Sequence, residues 1–230
     1  MLGRSVFPLA FTGKRQFVRL VLDIHQVSQS LRHSTIQPLN RRTAPRRWAA
    51  STSVTSSPND PADYEANKAL EAGTKLLEEG DVDGAKAMYK RSVDIKRTAS
   101  ALFNLGVTYY HSKEYPEAIG AWEESISLQP SSPDAHTNLA SAYIMSPVSR
   151  PDLALKHLRT ASSLSPDDPE ISFNLAAVLE ACGFLEEALD HYKRSKENGV
   201  ERAGVHIRNV SAKILGKRMK EAAGGDQRDE

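Results

Sequence analysis

Apolar side chains recur through the middle of this chain at three- and four-residue intervals, in short runs separated by polar turns. The stretch Ala99–Ser132, ASALFNLGVTYYHSKEYPEAIGAWEESISLQPSS, shows the pattern best. Leu102, Leu105, Gly106 and Tyr109 fall on one face of a first helix, and Ala118, Trp122 and Ser125 on one face of a second. Small residues at Gly106 and Ala118 allow two backbones to approach closely, and large ones fill the space beside them. One such pair cannot cover its own apolar faces, so the pattern predicts neighbours of the same kind.

The neighbours are present. Residues 66–98 carry Ala72-Gly73, Leu76, Ala85, Tyr89 and Ser92. Residues 133–168 carry Leu139-Ala140, Tyr143, Ala154, Leu158, Ala161 and Pro166. Residues 169–202 carry Leu175-Ala176, Leu179, Ala188, Tyr192 and Ser195. The third unit has a turn two residues longer than the others, over Ile144–Pro151, and Ser149 followed by Asp152 predicts a capping box for its second helix. Asp60-Pro61 reads as the helix start ahead of the first unit. Beyond the fourth, Ala203, Ile207, Val210 and Ile214 line one face of a further helix over 203–223.

Leu102-x-x-Leu105-Gly106-x-x-Tyr109, Ala118-x-x-x-Trp122 and Pro130 together resemble the signature of the tetratricopeptide repeat. The resemblance implies an all-α, right-handed α-solenoid of four helix–turn–helix repeats (66–98, 99–132, 133–168 and 169–202, within 58–202). The helix at 203–223 then serves as a cap with a charged face to water.

Charge divides the chain further. Residues 1–57 hold nine Lys/Arg and one acid, and the remainder holds 21 basic against 28 acidic residues. An Arg- and Ser-rich, nearly acid-free start describes a mitochondrial transit peptide, or a disordered basic tail. Its apolar runs are too short to span a bilayer. Arg46-Arg47-Trp48-Ala49 resembles a matrix-processing site, which places cleavage between Trp48 and Ser57 and the mature protein in the mitochondrial matrix. Ser51–Asn59 reads as a linker and 224–230 as a disordered tail. With the single cysteine Cys182 there is no disulfide framework.

The sequence offers no catalytic constellation: no His-Glu-x-x-His, no phosphate-binding glycine loop, no Gly-x-Ser-x-Gly. We therefore expect a non-enzymatic protein without cofactor. His157 and His191 occupy equivalent positions in successive repeats. Equivalent positions lie a helix-packing distance apart, roughly 8–10 Å, too far to share a metal. No metal site is expected.

In the tetratricopeptide fold the first helix of each repeat lines a concave groove, and an Asn precedes the structural Leu in three of them: Asn104, Asn138 and Asn174. An amide both donates and accepts, so a ladder of them suits the backbone of an extended peptide. The same Asn residues are also explained as solvated, or as holding a neighbouring helix. The resemblance places Phe103, Val107, Tyr110 and His111, then Thr137, Ser141 and Ile144, then Phe173, Ala177 and Glu180 along the groove walls, with Leu70 and Thr74 extending them. Co-chaperone members of the family grip acidic tails with a clamp of Lys, Asn and Arg. The matching positions here are Leu70, Thr74, Asn104, Asp134 and Asn138, of which Asn104 alone fits.

The expected function is a scaffold or assembly factor that holds an extended segment of a protein partner. Leu185–Leu189 also resembles the pentatricopeptide repeat of organellar RNA-binding proteins, but the acidic balance after residue 57 argues against nucleic acid. The basic helix over 203–222 admits a peripheral membrane contact as an alternative to a plain cap. The partner's identity and the oligomeric state are not legible in the sequence.

Overall fold

The computed structural model describes residues 60–225. The expected transit peptide, its cleavage site and the linker up to Asn59 lie outside the described residues, as do 226–230 of the expected tail.

The described residues form helices α1 (Pro61–Glu78), α2 (Val82–Ile95), α3 (Ala99–His111), α4 (Tyr115–Leu128), α5 (Pro133–Met145), α6 (Pro151–Leu164), α7 (Pro169–Ala181), α8 (Leu185–Glu197) and α9 (Ala203–Gly225). They pack as four hairpins, α1/α2, α3/α4, α5/α6 and α7/α8. Each hairpin's second helix lies against the first helix of the next, and α9 lies against α8. The first helix begins at Pro61, earlier than the repeat frame at 66, because Asp60 caps it by accepting from the Ala62 N–H at 3.0 Å. Helix α9 runs to Gly225, into the stretch expected as tail.

Three devices recur and explain why the hairpins are alike. In the turns of repeats one, two and four, the residue before the N-cap of the second helix has positive φ: Gly80 at 88°, Lys113 at 62° and Gly183 at 85°. The next residue's N–H returns to a carbonyl of the first helix: Asp81 to Leu76, Glu114 to Tyr109 and Phe184 to Leu179, each at 2.9 Å. This is the glycine-type helix stop, in which the left-handed residue turns the chain so that end carbonyls are satisfied. Lys113 occupies the position without glycine's freedom, at a cost on the order of 1 kcal/mol.

Repeat three solves the same problem differently. There the Arg150 N–H reaches the Tyr143 carbonyl at 2.9 Å, so two extra residues loop outward while the carbonyl keeps its partner. The capping box expected of Ser149 and Asp152 does not form. Helix α6 starts at Pro151, which makes Arg150 the N-cap and puts Ser149 one position too early. Ser149 Oγ is buried without a partner among the described residues, and the Arg150 guanidinium binds Asp152 instead. That hydrogen bond and charge hold the Asp152 carboxyl below its usual range.

The second device is a serine latch. Ser92, Ser125 and Ser195 each donate at 2.8 Å to a carbonyl at the start of their own repeat, Ala66, Ala99 and Pro169 respectively. Ala161 takes this place in repeat three and is fully buried. The third is the close approach expected at Gly106. A Cβ there would stand 2.6 Å from Trp122 Nε1, and one on Gly73 would stand 2.8 Å from the Tyr89 ring. The Trp122 N–H donates to the Phe103 carbonyl at 3.0 Å, so the indole fills the space and also satisfies its one polar atom.

Candidate functional site

The first helices α1, α3, α5 and α7 bear the residues expected to line a groove. Of these, α3 and α5 also touch each other directly. On α3, Phe103, Val107 and Tyr110 are half-buried, packed at the edge of the main apolar core. Tyr110 meets Trp122 and Tyr115, with ring centroids 5.8 and 5.5 Å apart, and burial pushes its phenol far above the ordinary value. It is therefore a neutral, ring-anchored hydroxyl. Asn104 and Asn138 are half-buried, and neither amide has a hydrogen-bond partner among the described residues. Thr74, Thr137 and Ser141 return their hydroxyls to carbonyls four residues back on their own helices, Leu70, Pro133 and Thr137. These hydroxyls are occupied, whereas the two amides are not.

The fourth repeat does not join this surface as expected. Phe173 is only 2% exposed, and Ile144 and Ala177 are also buried, so none of the three presents a wall. At Phe173 the cover comes from α9 and the residue just before it. Arg202 lays its guanidinium 4.3 Å from the Phe173 ring centroid and pairs with Glu170. His206 meets the same ring edge-on, with centroids 5.2 Å apart. Asn174 keeps a buried Oδ1 with no partner among the described residues. The accessible ladder is therefore Asn104 and Asn138, with Phe103, Val107 and Tyr110 beside the first.

Glu180, expected as an acidic wall, is instead the anchor of α9. Its carboxylate accepts from Tyr192 Oη at 2.9 Å and Lys213 Nζ at 2.6 Å, and His206 Nδ1 stands 3.8 Å away. Burial alone would raise its pKa, but His206, Lys213 and Tyr192 together outweigh burial and hold it at about 2. Its negative charge is spent inside the fold rather than offered to a ligand.

Sequence reasoning missed one polar cluster. His136 Nδ1 lies 2.9 Å from His157 Nδ1, and His136 Nε2 lies 3.1 Å from the Pro130 carbonyl. A carbonyl only accepts, so the neutral His136 carries its proton on Nε2 and accepts at Nδ1 from His157. His157 also stacks on Tyr143, whose hydroxyl donates to Glu123. Burial, then the neighbouring His136 and Lys156, lower the His157 pKa. The equivalence of His157 with His191 gave no hint of this, because the partner comes from α5 of the same repeat. Among the described residues no group of three or more His, Cys, Asp or Glu is placed to hold a metal. Cys182 caps the end of α7 half-buried, and burial raises its thiol pKa.

Residues 108–145 match a family model described as "TPR repeat", and residues 148–199 match one described as "Tetratricopeptide repeat". The matched residues are tetratricopeptide repeats. Both matches fall within the four hairpins, and the repeat architecture is shared with solved structures. MamA residues 41–end from Desulfovibrio magneticus RS-1 is 15% identical over 72% of this chain and 98% of that one, with a TM-score of 0.60. YrrB, described as a TPR protein with an unusual peptide-binding site, is 22% identical over 65% of this chain and 78% of that one, with a TM-score of 0.59. A further MamA structure covers 86% of this chain and 99% of that one at 18% identity, with a TM-score of 0.55. No curated protein sequence matches the chain. At these identities the likeness establishes the tetratricopeptide fold. No helix among the described residues is long and apolar enough to cross a membrane.

Proposed function

We propose that this tetratricopeptide-repeat protein is a non-enzymatic scaffold that holds an extended peptide segment of a protein partner along α3 and α5. One observation carries the reading. Asn104 and Asn138 present half-buried amides with no partner among the described residues, beside the half-buried apolar side chains of Phe103, Val107 and Tyr110. A peptide backbone supplies the N–H and C=O that such amides lack, and an apolar side chain of the peptide packs on the rings. The clamp by which co-chaperones grip acidic tails is not kept, since Leu70, Asp134 and Asn138 stand where it has cations.

Changing Asn104 and Asn138 together to Ala should leave the melting temperature within a few degrees of wild type. Capture of the partner from mitochondrial extract should fall about tenfold or more, since two hydrogen bonds contribute roughly 1 kcal/mol each. Undiminished capture by a folded double variant overturns this placement of the site.

The basic, acid-poor segment 1–57 supports a mitochondrial address, with removal between Trp48 and Ser57. Full-length chain incubated with energised mitochondria should become protease-protected and shorter, with a new N-terminus in that interval. Recovery of the chain from mitochondria with Met1 intact, or its exclusion from them, counts against the address.

A further inference from the structure

Helix α9 carries two apolar stripes, and only one of them is used. Ala203 and Val210 are fully buried against the fourth repeat. They stand seven residues apart, like the fully buried Ala101 and Thr108 of α3 and Ala135 and Ala142 of α5. Helix α9 thus docks as the first helix of another repeat would. In α3, α5 and α7 the side turned away from the preceding repeat is covered by a second helix. Among the described residues nothing covers it on α9. There Val205, Leu215 and Met219 are 50, 61 and 64% exposed, so apolar side chains stand among the charged ones of its outer face.

The exposed stripe has a definite period. Val205, Ala212 and Met219 repeat every seven residues, and so do Arg208, Leu215 and Ala222, offset by three. All six are exposed. This alternating three–four spacing is the seam by which one helix packs along another. Its charge selects among occupants. Residues 203–222 hold five Lys/Arg and one acid, Glu221, which falls on the side away from the seam. Arg208 sits within the seam, and Arg218 flanks it on one side. A second copy brings the same positive charge, and the segment 1–57 brings nine more Lys/Arg against one acid. Both are repelled, while an acidic helix is attracted.

We infer that the outer face of α9 is a docking seam for an amphipathic α-helix of a partner protein, apolar at heptad positions and acidic along its flanks, separate from the proposed peptide groove.

The test uses the full chain and two synthetic helical peptides with Leu at a and d, one with Glu and one with Lys at e and g, followed by fluorescence anisotropy. The Glu peptide should bind and the Lys peptide should not. Leu215→Asp should weaken the Glu peptide at least tenfold, and Arg208→Glu should weaken it and admit the Lys peptide. Both substitutions are on an exposed face, and unchanged circular dichroism and melting temperature confirm that α9 stays docked. Equal binding of both peptides, or binding indifferent to Leu215→Asp, overturns the proposal. So does a dimer in sedimentation equilibrium that Leu215→Asp returns to monomer, or flotation with phosphatidylglycerol vesicles that Leu215→Asp abolishes while neither peptide binds.

Discussion

Trp122→Ala is expected to lower the unfolding free energy by about 3–5 kcal/mol, the range for deleting a fully buried aromatic side chain. Trp122 is 1% exposed, fills the hollow above Gly106 and donates to the Phe103 carbonyl. It therefore joins α4 to α3 beneath the residues proposed to bind peptide. Urea unfolding followed by circular dichroism measures the loss. Gly106→Ala provides the matching test of the close approach. In the wild-type background the new Cβ collides with a rigid indole held by its own hydrogen bond, and overpacking of this kind costs roughly 1–3 kcal/mol. With Trp122 already replaced by Ala, the collision is absent, and alanine should recover its helical advantage of about 1 kcal/mol over glycine. The effect of Gly106→Ala should thus reverse sign between the two backgrounds. The same sign in both would show that the glycine is not there to admit the indole.

Glu180→Gln should release α9. The glutamine keeps the shape but removes the charge that Lys213 and the buried Tyr192 hold, with His206 beside it. The wild-type carboxyl moves from its ordinary value of 4.5 when unfolded to about 2 when folded. A depressed carboxyl pKa stabilises the fold above 4.5, and that contribution, roughly 3 kcal/mol, disappears as pH falls from 4.5 towards 2. A second window lies higher. Burial lowers the pKa of both His157 and His191 from 6.5. The unfolded chain therefore binds more protons than the folded one just below that value, and stability declines as pH drops through 6.5 and beyond. Melting temperature against pH should fall in two stages for wild type. Glu180→Gln should be less stable at neutral pH, lose the lower stage and keep the upper. An unaltered lower stage in the variant would falsify the anchor role. Faster amide exchange confined to α9 should accompany the loss, since that helix packs chiefly on α8.

Much of this fold is written in local patterns. Leu105, Gly106, Tyr109, Ala118 and Trp122 announce a hairpin because volume and helical period together leave little choice of partner face. The same spacing three more times announces an array. Asn104 and Asn138 were legible as candidates, since an amide on the outer side of a first helix has no packing role that its position requires. The buried state of Phe173, Ile144 and Ala177 was not. Whether a residue on that side meets water depends on what is laid over it, and the Arg202 and His206 that cover Phe173 come from further along the chain. The His136–His157 contact belongs to the same class, because its partners meet only after α5 and α6 fold together. Ser149 failed as a cap by one position, a shift set by where the longer turn lets Tyr143 recover a backbone partner.

The sequence by itself determined the repeat, its period and its internal packing, because these follow from contacts within one helical hairpin and recur at fixed spacing. The tertiary structure decided which of the expected groove residues remain open, where the charge of Glu180 is spent and which face of α9 is left bare. Those outcomes rest on contacts between one repeat and the next, where the burial of each side chain is set by residues that no local pattern brings together.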